Sequence, residues 1–276
     1  MTIRTALAQG TELLDDAGIA APKLTAEVLL AFAMSVERVY FFAHPEQELR
    51  EVEWLHYGRY LHERLKGKPT QYITHRQEFY GREFRVTQDV LIPRPETEHI
   101  VETVLEVARG ARRVVDVGTG SGALAVTLQL EMGADLWATD ISAPAARVAA
   151  ENAERLNARI GVIVCDLMGA LASHSMDLVV SNPPYVPETA RDGLQREVRD
   201  WEPQAALFAG PSGFDLYDRI AADAPRVLRP GGWLVMELGF GCHDHVIGLL
   251  SSWPDLKVVP DLAGIPRVVA ARASQG

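Results

Sequence analysis

Three glycines set two residues apart, at the end of an apolar run, constrain this chain more than any other feature: Val114-Val115-Asp116-Val117-Gly118-Thr119-Gly120-Ser121-Gly122. A β-branched run that ends in such a loop predicts a strand turning sharply into a helix, because glycine admits tight turns and lets backbone approach a ligand closely. The chain beyond it repeats the theme. Strand-like runs at residues 113–117, 134–140, 161–166, 176–181, 232–238, 256–259 and 267–271 alternate with Ala- and Leu-rich stretches at 123–130, 145–156 and 216–228 that suit helices. Pro144 stands where the second of these should begin, and Arg229-Pro230-Gly231-Gly232 punctuates the end of the third. The pattern predicts an α/β fold with a seven-stranded, doubly wound, Rossmann-like sheet.

The first 70 residues read differently. Apolar residues at helical spacing over 2–16, 25–34 and 46–66, separated by Gly18, Pro22 and Pro45, predict a small helical bundle. Residues 71–86 turn aromatic and β-favouring around Gly81, which predicts a hairpin connecting the bundle to the sheet. The expected division is therefore 1–70 for a helical recognition domain, 71–88 for a hairpin linker and 89–276 for the sheet domain. At the start of the last, Ile92-Pro93-Arg94-Pro95-Glu96-Thr97-Glu98 offers a proline and acidic residues suited to the first turn of a helix running to Ala108.

Spacing and charge narrow what the glycine loop can hold. The usual dinucleotide fingerprint is G-x-G-x-x-G, whereas this loop is G-x-G-x-G and follows Asp116 closely. A carboxylate there repels a pyrophosphate and suits the cationic amino-acid end of S-adenosylmethionine. Asp140 and Asp166 close the second and third expected strands. Asp140 is placed to accept from ribose hydroxyls and Asp166 from an adenine amino group. Each alone would pass for a solvated turn residue, but three carboxylates at one sheet edge form a pattern. The expected cofactor contacts are Asp116, Gly118, Thr119, Gly120, Ser121, Gly122, Asp140, Asp166, Leu167 and Asn182.

The fourth expected strand runs into Asn182-Pro183-Pro184-Tyr185 at that same edge. An amide or exocyclic amino nitrogen has a delocalised lone pair and is a weak nucleophile. Two neutral acceptors, the Asn182 side-chain oxygen and the Pro183 carbonyl, can hold its two N–H groups and aim the lone pair at a methyl carbon. Pro184 restricts Pro183 and fixes that carbonyl, while Tyr185 can stack on a flat group. No strong base is needed, since the nitrogen becomes acidic as positive charge develops on it. Asn182, Pro183 and Tyr185 are the expected catalytic residues, and Pro184 joins them in binding substrate.

Composition excludes other classes. The net charge of −10 argues against stable binding to duplex nucleic acid, which requires clustered Lys and Arg. The first 85 residues are nearly balanced, so the acidity belongs to the sheet half. Arg59, Arg64, Lys66, Lys68, Arg76, Arg82 and Arg85 outnumber neighbouring acids, which fits either a solvated face or a docking patch for an acidic or RNA-bound partner. Cys165 and Cys242 are too far apart for a disulfide framework, and Cys242-His243-Asp244-His245 lacks paired ligand spacing, so no metal site is expected. With no signal-peptide core and no membrane-length apolar run, a cytoplasmic location without membrane association is expected.

The glycine loop, Asn182-Pro183-Pro184-Tyr185 and Ile92–Glu98 together resemble the PrmC/HemK family, the peptide chain release factor glutamine methyltransferases. The likeness runs through Glu202-Pro203 and Gly264-Ile265-Pro266-Arg267 and covers essentially the whole chain. It implies a class I methyltransferase fold and methyl transfer from S-adenosylmethionine, leaving S-adenosylhomocysteine. The acceptor would be the glutamine side chain of the Gly-Gly-Gln motif in class 1 release factors, gripped by the N-terminal bundle. Gly118 to Gly122, Asp140 and Asn182 would contact the cofactor, and Asn182 to Tyr185 the amide. Leu167 departs from relatives that carry Trp there, and Arg94, Glu96 and Glu98 suit either a pocket mouth or helix capping and ion pairing. The competing functions are a nucleic-acid amino methyltransferase, a nicotinamide-dependent oxidoreductase and a non-catalytic translation-factor binder.

Overall fold

The computed structural model describes residues 1–274, which divide into two compact units. The first comprises Met1–Arg76 and a short later piece, Gln195–Trp201. Its helices are α1 (Ile3–Asp16), α2 (Pro22–Met34), α3 (Tyr40–Ala43), α4 (Glu51–Leu65) and α5 (Thr70–Thr74). Thr2 caps α1 by accepting from Thr5 N, and Pro22 opens α2 where a missing N–H costs nothing. Ile3, Leu14, Leu29, Leu30 and Tyr57 meet in a fully buried centre. The helix expected from residue 46, α4, starts only at Glu51. Gln47 and Leu49 instead bond to the chain start, Ile3 N donating to Gln47 O and Leu49 N to Met1 O, both at 2.9 Å.

The second unit comprises Gln77–Leu194 and Glu202–Gly276. A hairpin, β1 (Arg76–Phe79) and β2 (Arg82–Arg85), is followed by one 3-10 turn over Pro95–Thr97 and then α6 (Glu98–Val107). Next come β3 (Arg113–Val117), α7 (Ala123–Met132), β4 (Asp135–Asp140), α8 (Ala143–Arg155), β5 (Ile160–Val164) and β6 (Met176–Ser181). After α9 (Arg196–Trp201), which belongs to the first unit, the chain continues through α10 (Asp215–Val227), β7 (Leu228–Glu237), α11 (His243–Leu250), β8 (Lys257–Pro260) and β9 (Pro266–Arg272).

Strands β3 to β9 form one seven-stranded sheet in the order β5-β4-β3-β6-β7-β9-β8. The first five in that order run parallel, and β9 is antiparallel to both β7 and β8. Successive strand residues point to opposite faces, and both faces are covered. Val114, Leu136, Leu178 and Val235 pack with Ile100, Val104 and Leu128 on one side. Val115, Val179, Leu234 and Met236 pack with Ile220, Val246 and Leu250 on the other.

Strand order reverses between β4 and β6 across β3, the switch point where open α/β sheets bind ligands beyond the carboxyl ends of their strands. Val117 pairs in register with Ser181 across β3 and β6. Gly118 and Asn182, the next residue of each strand, therefore emerge side by side.

Several boundaries differ from the sequence expectation. Residues 70–74 are helical, so the hairpin occupies only Arg76 to Arg85. Strand β5 stops at Val164 rather than 166: Cys165 N makes the last ladder bond, to Asp140 O at 3.0 Å, and Leu167 then turns the chain away with left-handed φ of 46°. Strand β7 begins at Leu228, upstream of the Pro-Gly-Gly turn, with a register shift opposite Met176 and Leu178.

Candidate active site

The glycine loop is held by its own backbone. Gly118 N and Thr119 N both donate to Thr139 O at 2.9 Å, and Gly120 N donates to Asp140 Oδ2 at 2.9 Å. Gly118, Gly120 and Gly122 all have positive φ, of 75°, 55° and 80°. A Cβ on Gly118 or Gly120 would meet nothing within 4 Å, so the loop's backbone faces open space. A Cβ on Gly122 would sit 3.1 Å from Ala149, so the third glycine lets α7 pack on α8. Ser121 and Thr119 are buried within the turn.

Beneath the loop lies Asp116, 1% exposed. Its Oδ2 accepts from the Thr119 hydroxyl at 2.7 Å, while Oδ1 is buried with no partner in hydrogen-bonding geometry. Burial pushes its pKa up to about 7. An under-satisfied carboxylate below an open glycine loop is the environment a ligand ammonium would complete and a pyrophosphate would not. The residues therefore fit S-adenosylmethionine. Asp140 accepts from Gly120 N and Ser142 N at 2.9 and 2.8 Å, and its remaining lone pairs suit ribose hydroxyls.

Asp166 and Leu167 lie just past β5. Asp166 is half-exposed and pairs with Arg219 at 2.6 Å, so its carboxylate already faces a guanidinium. Leu167 is partly buried and packs against the core on the sheet face that α10 and α11 cover.

Asn182 is half-buried, Pro183 buried, and Pro184 and Tyr185 partly covered. The Asn182 Nδ2 donates to Thr97 Oγ1 at 3.0 Å. The Thr97 hydroxyl donates to Glu237 Oε2 at 2.6 Å. Tyr217 OH donates to Glu237 O at 2.8 Å and accepts from Gly239 N at 3.0 Å. The Tyr185 ring lies against Gly239, where an added Cβ would be 2.3 Å from ring carbons. Burial pushes the Tyr185 hydroxyl up to about 12, so it stays protonated at neutral pH.

Of these partners, Thr97, Tyr217, Glu237 and Gly239 were not singled out by the sequence. Glu237 carried a signal: a lone charge ending the apolar run Trp233-Leu234-Val235-Met236 is rarely buried without purpose. Arg94 and Glu98 act as anchors. Arg94 pairs with buried Glu202 at 2.5 Å, joining the Ile92–Glu98 segment to Glu202-Pro203, and Glu98 accepts from Tyr80 N at 2.8 Å, holding the hairpin.

The basic residues of the first third are largely taken up internally. Arg64 pairs with Glu197, Lys68 with Glu63, Arg82 with Glu131 and Arg85 with Glu151. In the Cys242–His245 string, Cys242 is buried and His245 pairs with Asp218 at 2.6 Å. Among the described residues no cluster of three or more metal-ligating side chains converges, and no helix is long and apolar enough to cross a membrane.

A sheet in this strand order, with a glycine loop over a buried carboxylate and Asn-Pro-Pro-Tyr at the adjoining strand end, defines a class I methyltransferase. Over 276 residues the chain is 46% identical to the release factor glutamine methyltransferase of Koribacter versatilis, covering 99% of both chains. It is 38% identical over 282 residues to the Bacillus subtilis protein of the same name, covering 98% of this chain and 97% of that one. The chain belongs to the release factor glutamine methyltransferase family. Residues 5–74 match the family model of the PrmC N-terminal domain and residues 96–198 that of the methyltransferase small domain. The crystal structure of a methyltransferase from Pyrococcus furiosus shares the fold, with a TM-score of 0.53 at 16% identity over 71% of this chain and 91% of that one.

Proposed function

We propose that this chain methylates the side-chain amide nitrogen of the glutamine in the Gly-Gly-Gln motif of class 1 peptide chain release factors, in the cytoplasm, using S-adenosylmethionine. The observation that carries this is Asn182: its Nδ2 is tied to Thr97, and its Oδ1 accepts from no described residue, beside the glycine loop. S-adenosylmethionine, when bound, supplies an electrophilic methyl group on a sulfonium.

This chain's residues do the rest. Asn182 Oδ1 and the Pro183 carbonyl accept from the two N–H groups of the substrate amide and aim its lone pair out of the amide plane. Both acceptors strengthen as the nitrogen gains positive charge, which favours the transition state over the ground state. Tyr185, kept neutral and seated on Gly239, offers a flat face to the amide. We assign residues 1–70 to release-factor recognition, 71–88 to the connection and 89–276 to catalysis. The family models over 5–74 and 96–198 support that division.

Incubation with a release factor and S-adenosylmethionine is expected to add one methyl to the Gly-Gly-Gln glutamine, read by peptide mass spectrometry. Asn182→Ala should lower the rate by about 100- to 1,000-fold, the usual cost of removing one preorganised polar group at a reacting centre. An unmodified glutamine with cofactor-loaded protein would overturn the assignment. Methylation of an adenine or guanine amino group in its place would point to the nucleic-acid reading.

A further inference from the structure

The Asn182-Thr97-Glu237 chain has a direction, and the direction matters for any transfer to an N–H group. Thr97 and Glu237 are 5% and 3% exposed, so both are costly to bury unless hydrogen-bonded. A hydroxyl owns one proton, and an ionised carboxylate only accepts. With Glu237 ionised, the Thr97 proton is committed to Oε2 at 2.6 Å, and toward Asn182 the hydroxyl can offer only lone pairs. The amino end of the Asn182 amide must then face Thr97, as it does at 3.0 Å. Its oxygen is turned the other way.

Shape alone cannot enforce this, because the two ends of a side-chain amide are nearly identical in size. Turned over, Asn182 would set its own N–H donors against the N–H donors of a substrate. We propose that Thr97 and Glu237 are positioning residues that fix which end of the Asn182 amide faces the substrate nitrogen, an inference that rests on the methyl-transfer reading for its catalytic consequence.

The groups around Glu237 make the device titratable. Thr97, Glu96 and Arg94 face it from the segment before α6, Arg267 from β9, Tyr185 from the loop after β6 and Tyr217 from α10. Burial and Glu96 favour the protonated acid, Thr97, Arg94 and Arg267 oppose them, and the balance lies at about 7. Arg94 and Arg267 are themselves shared with Glu202 and Asp261. Once protonated, Glu237 can donate to Thr97, whose own proton is then free to point at Asn182, and either end of the amide becomes acceptable there. The orientation is therefore fixed above neutrality and lost as pH falls.

The test compares wild type with Thr97→Val, Thr97→Ser and Glu237→Gln, using a release factor as acceptor. Thr97→Val should lower kcat about ten- to a hundredfold, the range found when a supporting hydrogen bond behind a site is removed. The loss should fall on kcat more than on KM for the release factor, the signature of an interaction that matters in the transition state. Thr97→Ser should restore most of kcat. Glu237→Gln should remove the acid limb of the kcat profile near neutral pH.

A second measurement needs no turnover. The Asn182 side-chain amide, assigned in ¹H–¹⁵N spectra by its loss in Asn182→Ala, should exchange slowly in wild type and Thr97→Ser and fast in Thr97→Val. Its shifts should titrate near neutrality in wild type and stay flat in Glu237→Gln. Unchanged exchange together with unchanged kcat in Thr97→Val overturns the proposal. Should the core variants fail to fold, the wild-type titration decides: an amide signal indifferent to pH overturns it. Protected, titrating amide signals in a wild type that leaves the glutamine unmodified would retain the orientation device and remove the release-factor assignment.

Discussion

Asp116 shows how far a single buried carboxylate can be set against stability. Its carboxylate is buried with one oxygen bonded to Thr119 and the other lacking a partner in hydrogen-bonding geometry, and desolvation outweighs the Thr119 hydroxyl and the Ala125 N–H to raise its pKa from 3.8 to about 7. A raised folded-state value means that the unfolded chain gives up this proton first. Stability therefore falls as pH climbs from the ordinary aspartate range toward 7, and the penalty is complete above that. Asp116→Asn keeps the shape and removes the charge. At pH 8, without cofactor, the variant is expected to be more stable by about 1–3 kcal/mol, with the gap narrowing toward pH 5. Urea unfolding at the two pH values checks the sign. Its affinity for S-adenosylmethionine should drop, since the ammonium loses its anionic partner.

The elements that carry the site are joined by contacts of long sequence separation. Asn152, fully buried on α8, donates to Arg85 O and to Ser121 O at 2.9 Å and accepts from Arg85 N at 2.8 Å. One side chain thus ties the hairpin strand β2 and the glycine loop to the same helix. Asn152→Ala leaves three backbone groups without partners and should cost about 2–4 kcal/mol. It should also speed amide hydrogen exchange in Arg82–Arg85 and around Ser121 more than elsewhere, as read by exchange mass spectrometry. None of this was legible in the sequence, where Asn152 sits in an Ala-rich helical stretch and reads as a surface polar residue.

What could be read were features whose cause is local. The β-branched run at Val114 and Val115, the positive-φ demand at Gly118 and the proline-fixed Asn182–Tyr185 turn are all written in neighbouring residues. The end of β5 is not written locally, because the left-handed turn there falls on Leu167, a residue type that gives no turn signal. Thr97 lies inside a charged string and its partner Glu237 is 140 residues away, so nothing in the neighbouring residues marks it.

On the scale of the molecule, the same non-locality sets the units. Helix α9 lies in sequence beyond Asn182–Tyr185, yet it groups with Met1–Arg76, where Glu197 pairs with the nearly buried Arg64 at 2.7 Å. No pattern in either segment announces the other. The orphaned oxygen of Asp116 carries a further consequence, because a carboxylate poised near neutrality makes ligand binding a protonic event. Seating an ammonium against it would drive ionisation, so near neutral pH cofactor uptake should expel a fraction of a proton into solution. Titration calorimetry in buffers of different ionisation enthalpy would register this as a buffer-dependent heat, absent in Asp116→Asn. Acidification would then loosen the grip on the cofactor while leaving the empty fold better off.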